Sequence, residues 1–247
     1  MKYMKYRVFS DIHLDHSKWV VPTLKTDKDT VLIIAGDLAH GAMLDVTAQW
    51  LDKQGANFRE VIVVLGNHDY WASDKPLETP ALLRALVTRK NIHILEKDIV
   101  EIDELKIGGA TLWTDIAKED PLRVMNAKRY TNDFRYMNNF SVENWLEQHK
   151  QTVAWIDSNP MDIIVTHFVP WSRFTHSIYA NEVANCMFSS DVITKLKVTP
   201  KVWIFGHTHH SYKEYVNDTL FICNPRGYSS YENRDFDNKS LFELEGI

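Results

Sequence analysis

A chain of 247 residues, 45% hydrophobic and 25% charged, has the composition of an ordinary folded protein that can bury a sizeable core, which excludes disordered and fibrous classes. Its formal charge of −5 excludes a broad basic surface for non-specific nucleic-acid binding, so an anionic substrate has to be attracted locally. The longest apolar runs, "VLIIAG" and "VIVVLG", are too short to cross a bilayer and "MKYMKYRVFSDIH" has no signal-peptide core, so a cytoplasmic location is expected.

The first predicted strand, "YRVFSDIH" (6–13), ends in polar residues, and so does the second, "VLIIAGD" (31–37). A helical pattern at about 42–54 leads to a third run, "VIVVLGNHD" (61–69), and another helical pattern covers about 77–90. Residues 99–113 read as a hairpin with "IDEL" as its turn. The segment 114–140 breaks this grammar with weak periodicity, several aromatics and several Arg; it reads as a lid or insertion over a site, or as a long irregular connection. A helix is expected over 141–158 with Ser141 as N-cap, then "DIIVTHF" (162–168), "KVWIFGHTH" (201–209) and a second hairpin at 211–228 with "VNDT" as its turn.

β-Branched runs alternating with helices predict an α/β architecture, in which ligands bind beyond the carboxyl ends of the strands. The two hairpins suggest two sheets rather than one. No repeat or linker divides the chain, so residues 1–247 read as one domain, and Cys186 and Cys223, without CxxC spacing, read as two reduced, packed thiols.

The strand ends supply Asp11 and His13, Asp37, Asn67 with His68, His167, and His207 with His209. Mixed carboxylate and imidazole donors suit Mn²⁺, Fe and Zn²⁺ better than Mg²⁺ or Ca²⁺, and the set is large enough for two ions. Residues two apart in an extended segment project to one side, which would account for D-x-H and H-x-H. Any one of these residues is as readily a turn former or cap; jointly ordered, they are not.

These blocks, "DIH", "GD", "GNHD", "TH" and "GHTH", resemble in order the pattern of the calcineurin-like metallophosphoesterases. The resemblance implies a four-layer αββα sandwich, two packed sheets flanked by helices. It implies that Asp11, His13 and His209 bind one metal, that Asn67, His167 and His207 bind a second, and that Asp37 bridges. Gly206 would let the backbone make the tight turn that delivers His207 and His209. The cofactors implied are two divalent transition-metal ions, manganese first, with iron, zinc or nickel as alternatives. The reaction implied is in-line hydrolysis of a phosphate mono- or diester by a metal-bridging hydroxide.

By the same resemblance His68 is the general acid that protonates the leaving oxygen; the alternative makes His68 a ligand and Asn67 a cap. In serine/threonine protein phosphatases the second block runs GD-x-x-D; here "GDLAH" puts His40 at the last position, as in the superfamily's DNA-repair exonucleases, so His40 is a candidate to assist His68 or touch substrate, or a solvated residue at a helix start. Asn224 and Arg226 in the polar turn "CNPRGY", and Tyr70 after the third block, are candidate substrate contacts, as are Trp71, Trp113 and Trp171; each also fits the core. His149 reads as structural or solvated. The expected partner is a small phosphorylated substrate or a nucleotide, and no membrane. A nuclease of the same superfamily and a non-catalytic scaffold are the competing readings.

Overall fold

The computed structural model describes residues 3–179, 182–229 and 232–245. Strands β1 (Tyr3–Phe9), β2 (Thr30–Ala35) and β3 (Glu60–Val64) run parallel, with Phe9 opposite Ile34 and Ala35 opposite Val64. β4 (Ile92–Leu95) extends this sheet beyond β3, and β11 (Phe242–Glu245) covers β1 antiparallel; neither strand was expected from the sequence. The second sheet begins with the hairpin β5 (Asp98–Ile102) and β6 (Leu105–Ala110), continues in parallel through β7 (Ile163–Thr166) and β8 (Val202–Phe205), and ends with the hairpin β9 (Tyr212–Val216) and β10 (Thr219–Cys223) in the order β8-β10-β9. Both expected hairpins therefore form, at the expected turns.

The near-continuous apolar runs are divided by the period of the strand. Tyr6, Val8, Val31, Ile33, Ile62 and Val64 face the other sheet, where they meet Ile107, Ile163, Val165, Ile204 and Ile222. Leu32, Ile34, Val61 and Val63 point the opposite way, onto Trp50 and Leu51 of the helix Leu44–Asn57 and Leu83 of the helix Thr79–Leu86. Each such side chain contributes about 1.5–3 kcal/mol on burial, so a register slip of one residue would be costly in every strand. On the outer face of the second sheet, Ile164, Trp203 and Phe221 are covered by Ile156 of the helix Val142–Ser158 and by Phe174, Val192 and Ile193 of the irregular stretches 172–179 and 182–196. The four-layer sandwich is thus present, with its last layer part helix and part loop.

Local signals explain the helix ends. Ser141 caps as expected: its hydroxyl accepts from the Asn144 amide at 3.2 Å while the Asn144 side chain accepts from the Ser141 amide at 3.0 Å. The helix expected at 77–90 stops at Leu86, where Val87 turns extended and Asp52 takes the amide of Thr88 at 2.9 Å. Within 114–140 the chain forms a left-handed turn over Ile116–Glu119, with φ of 46–61°, then the helix Pro121–Tyr130 capped by Asp120, then one turn at Asp133–Tyr136. Cys186 and Cys223 are both unpaired. No helix among the described residues is long and apolar enough to cross a membrane.

At their carboxyl ends the sheets are stitched together. The Ser10 amide donates to the Asn224 carbonyl at 3.2 Å, and the amides of Arg226 and Gly227 donate to the carbonyls of Ser10 and Asp11 at 2.9 Å. This bridge brings the loop after β1 against the loop after β10, beside the loop after β8.

Candidate metal centre

All seven expected metal donors converge on this edge. Five of the seven proposed ligands, Asp11, His13, Asp37, His207 and His209, have φ between 48° and 68°. Non-glycine residues rarely adopt this left-handed backbone, which costs about 1–3 kcal/mol each unless the surroundings over-determine it. The D-x-H and H-x-H residues share a side because of this left-handed geometry, not because the segments are extended.

Close approach of the loops depends on glycine. A Cβ on Gly66 would stand 2.1 Å from Asp37 Oδ1, and one on Gly36, at φ +87°, would stand 2.3 Å from His167 Nδ1. Gly206 is not at positive φ, which corrects the expectation of a tight turn: its Cβ would strike the Ala35 carbonyl at 2.7 Å and Asp11 Oδ2 at 2.8 Å, so it is there for space.

The donors form two groups that meet at one carboxylate. His13 Nε2 lies 3.3 Å from His209 Nε2, which is 3.2 Å from Asp11 Oδ1. In the other group His167 Nε2 lies 3.1 Å from both Asn67 Oδ1 and His207 Nδ1. Asp37 turns Oδ2 toward His13 at 3.8 Å and Oδ1 toward His167 at 3.4 Å, one oxygen to each group.

Metal fits these donors better than protons do. Two pairs of imidazole nitrogens face each other within 3.3 Å, and His13 Nδ1 and His207 Nε2 are buried without partners. Burial drives His13 down to about 4, and burial with the neighbouring His167 drives His207 well below the ordinary histidine range, so both offer neutral lone pairs. Burial also opposes charge on His209 and His167, but Asp11 and Glu232 carry the first up to about 10 and Asp37 carries the second up to about 9. Asp11 is held near 2, where burial is outweighed by His209, and Asp37 is held well below the carboxylate range, chiefly by His167 and His68. Two imidazolium–carboxylate pairs thus occupy positions where cations would sit.

His68 diverges from Asn67. Its amide donates to Asp37 Oδ1 at 2.9 Å, its ring stacks on Trp71 with centroids 3.5 Å apart, and its Nε2 faces the Tyr228 hydroxyl at 3.2 Å. Its Nε2 is also 3.9 Å from Asp37 Oδ2, so it stands at the edge of the donor set and on the wall of the adjoining cavity. His40 does not reach that cavity: its Nδ1 accepts from the Ala42 amide at 3.2 Å and caps the turn Gly41–Met43.

Three supporting residues had no sequence signal. Asp133, from the segment 114–140, accepts from Asn67 Nδ2 at 2.8 Å and from the Trp71 indole at 2.7 Å. Glu232 accepts from His209 Nδ1 at 2.8 Å, and Tyr228 packs its ring 4.3 Å from that of His13. Such outer partners fix the tautomer and orientation of ligands. Inside the loops, Asp69 accepts from the amides of Gly66, Leu38 and Ala39, tying the second and third blocks together.

The expected substrate contacts are corrected. Arg226 is buried beneath the site, its guanidinium donating to the Ile12 carbonyl at 2.6 Å and the Ser17 hydroxyl at 2.5 Å. Asn224 is buried too, donating to the carbonyls of Val8 and Asp237 at 2.9 Å. Tyr70 points its hydroxyl at Thr111 Oγ1, 2.7 Å away, inside the core. Trp113 is a core residue, and Trp171 packs beside the outer cluster of the second sheet; only Trp71 reaches the cavity. His149 is buried in the core with Nδ1 on the Trp113 carbonyl, structural rather than solvated.

Clustered oxygen and imidazole donors, gathered at one edge of two packed sheets, define a metallohydrolase. The family model for calcineurin-like phosphoesterases matches residues 4–211, and the chain belongs to that family, a metal-dependent phosphoesterase. An uncharacterized protein, L509, of Acanthamoeba polyphaga mimivirus is 24% identical over 281 residues, covering 98% of this chain and 97% of that one. The crystal structure of phosphopantetheinyl hydrolase from Mycobacterium tuberculosis superposes with a TM-score of 0.69 at 16% identity, covering 97% of this chain and 95% of that one, a likeness of fold.

Proposed function

We propose that this chain hydrolyses phosphate mono- or diesters of small molecules or nucleotides with two divalent transition-metal ions, manganese foremost. The observation that carries this reading is Asp37, with one carboxylate oxygen turned to each donor group. Asp11, His13 and His209 would hold one ion with Asp37, and Asn67, His167 and His207 the other. Bound there, the ions would supply Lewis-acid polarisation of the phosphoryl oxygens and a water acidified toward neutral pH.

The protein's own groups do the rest. Glu232 holds His209, and Asp133 holds Asn67, in the orientation that presents their inner atoms. His68, fixed between Trp71 and the Tyr228 hydroxyl, faces the cavity beyond the donors. It would give a proton to the leaving oxygen as the ester P–O bond breaks. His40, whose Nδ1 caps a turn while its ring packs edge-on against Trp71 at 5.9 Å, would act on the site only through that indole, which weakens the nuclease-type reading.

The test is hydrolysis of p-nitrophenyl phosphate and bis-p-nitrophenyl phosphate by metal-stripped protein reconstituted with Mn²⁺, with bound metal counted in parallel. Turnover that returns with metal supports the reading. Full metal occupancy with no turnover of either ester would leave a scaffold instead.

A further inference from the structure

The cavity beside the donors has about 600 Å³ and is lined beyond them by side chains of residues 130–133, 175–179 and 182–188. That volume is the size of a whole small molecule, far more than one phosphoryl group occupies. Val169, Ile178, Met187 and Phe188 make much of its outer lining apolar, and Ile178 is 66% exposed.

Away from the donor centre, the charged side chains that line the cavity are acidic. No Lys or Arg among the described residues lines the cavity, whereas Asp133, Glu182 and Glu232 do. Arg226, the candidate for pairing with phosphate, is committed to the carbonyl of Ile12. Arg123, which reaches the segment 182–188, donates to the carbonyl of Val183 at 3.0 Å. A single phosphoryl group can be met at the donor centre, but a second anion further along the substrate would face Glu182, apolar side chains and neutral groups such as Thr131, Asn132, Thr175 and Asn185, with no Lys or Arg among the described lining residues to receive it.

From this we infer that the substrate is an ester with one phosphoryl group attached to an extended, uncharged and largely apolar arm, seated against residues 130–133, 175–179 and 182–188. The inference rests on the proposed phosphoesterase reading and narrows it: nucleoside polyphosphates and nucleic-acid strands are poor occupants. Ile178 and Phe188 select for the arm, and Glu182 selects against further anions.

The test is calorimetric titration of the Mn²⁺-loaded protein with methyl phosphate, n-octyl phosphate and ADP, a binding readout that stands whether or not the protein turns over. Each methylene seated in the cavity is expected to tighten binding by about twofold to fourfold. Octyl phosphate should therefore bind at least about thirtyfold tighter than methyl phosphate, and ADP no tighter than methyl phosphate. Ile178→Asp should remove most of the octyl advantage while methyl phosphate binding holds, and Glu182→Lys should strengthen ADP severalfold. Binding independent of chain length, or ADP tighter than octyl phosphate, overturns the inference. Absent hydrolysis of p-nitrophenyl esters overturns the phosphoesterase reading separately.

Discussion

Asp133 and Asn67, 66 positions apart, share a hydrogen bond of 2.8 Å that joins the segment 114–140 to the donor centre. The same Asp133 oxygen accepts from the Trp71 indole, so one carboxylate orients both a proposed ligand and the ring on which His68 stacks. Asp133→Ala should lower affinity for the second ion about 10- to 100-fold, as loss of an outer partner does. Stepwise metal titration by calorimetry checks this; two unchanged affinities would reduce Asp133 to a local packing group.

His68→Ala should keep both ions and lose about 10²- to 10⁴-fold in kcat, the share of a general acid. Asp37→Asn, by contrast, should lose metal. Metal content and turnover measured on the same preparations separate the two, and equal metal loss in both variants would make His68 a ligand.

Gly66→Ala isolates a steric requirement. Gly66 has φ −99°, which alanine adopts freely, so the conflict is one of space: the new Cβ would stand 2.1 Å from Asp37 Oδ1, 2.5 Å from the Asp37 amide nitrogen and 2.7 Å from His167 Cε1. Overpacking of this kind costs about 1–3 kcal/mol. The expected outcome is a lowered Tm and depleted metal with an unchanged far-UV spectrum; normal metal content would show that Asp37 can give way without consequence.

Metal uptake should release protons. His209 and His167, raised to about 10 and about 9, are imidazolium in the metal-free protein at pH 7, and each must deprotonate to become a ligand. Apparent affinity should rise with pH up to about 10, and calorimetry in buffers of different ionisation enthalpy should register the released protons. For the metal-free protein the sign is opposite: both folded values lie above the unfolded value of about 6.5, so the folded state binds more protons and stability falls as pH rises from there through 9–10. A metal-free Tm that climbs between pH 7 and 9 would contradict these ion pairs.

What was readable in the sequence was whatever sits at a strand end. Asp11, Asp37, Asn67, His167 and His207 each follow a β-branched run, so periodicity and polar punctuation fall at the same place. Asp133, Tyr228 and Glu232 come from irregular segments and acquire their roles only through tertiary contact. Asn224 and Arg226 show the converse failure, because a polar turn does not say whether its side chains face a ligand or the carbonyls of an underlying loop. The left-handed turn at Ile116–Glu119 was also beyond reach: "IAKE" is made of good helix formers, and ordinary propensity points to the opposite hand.

The left-handed backbone at the donors sets the demands of function against those of durability. Glycine would relax each of these positions, so His207→Gly, at φ +68°, should yield a protein that withstands heat at least as well as the parent while binding metal poorly. At these positions the donors and the relaxed backbone ask for different residues, and the sequence carries the donors.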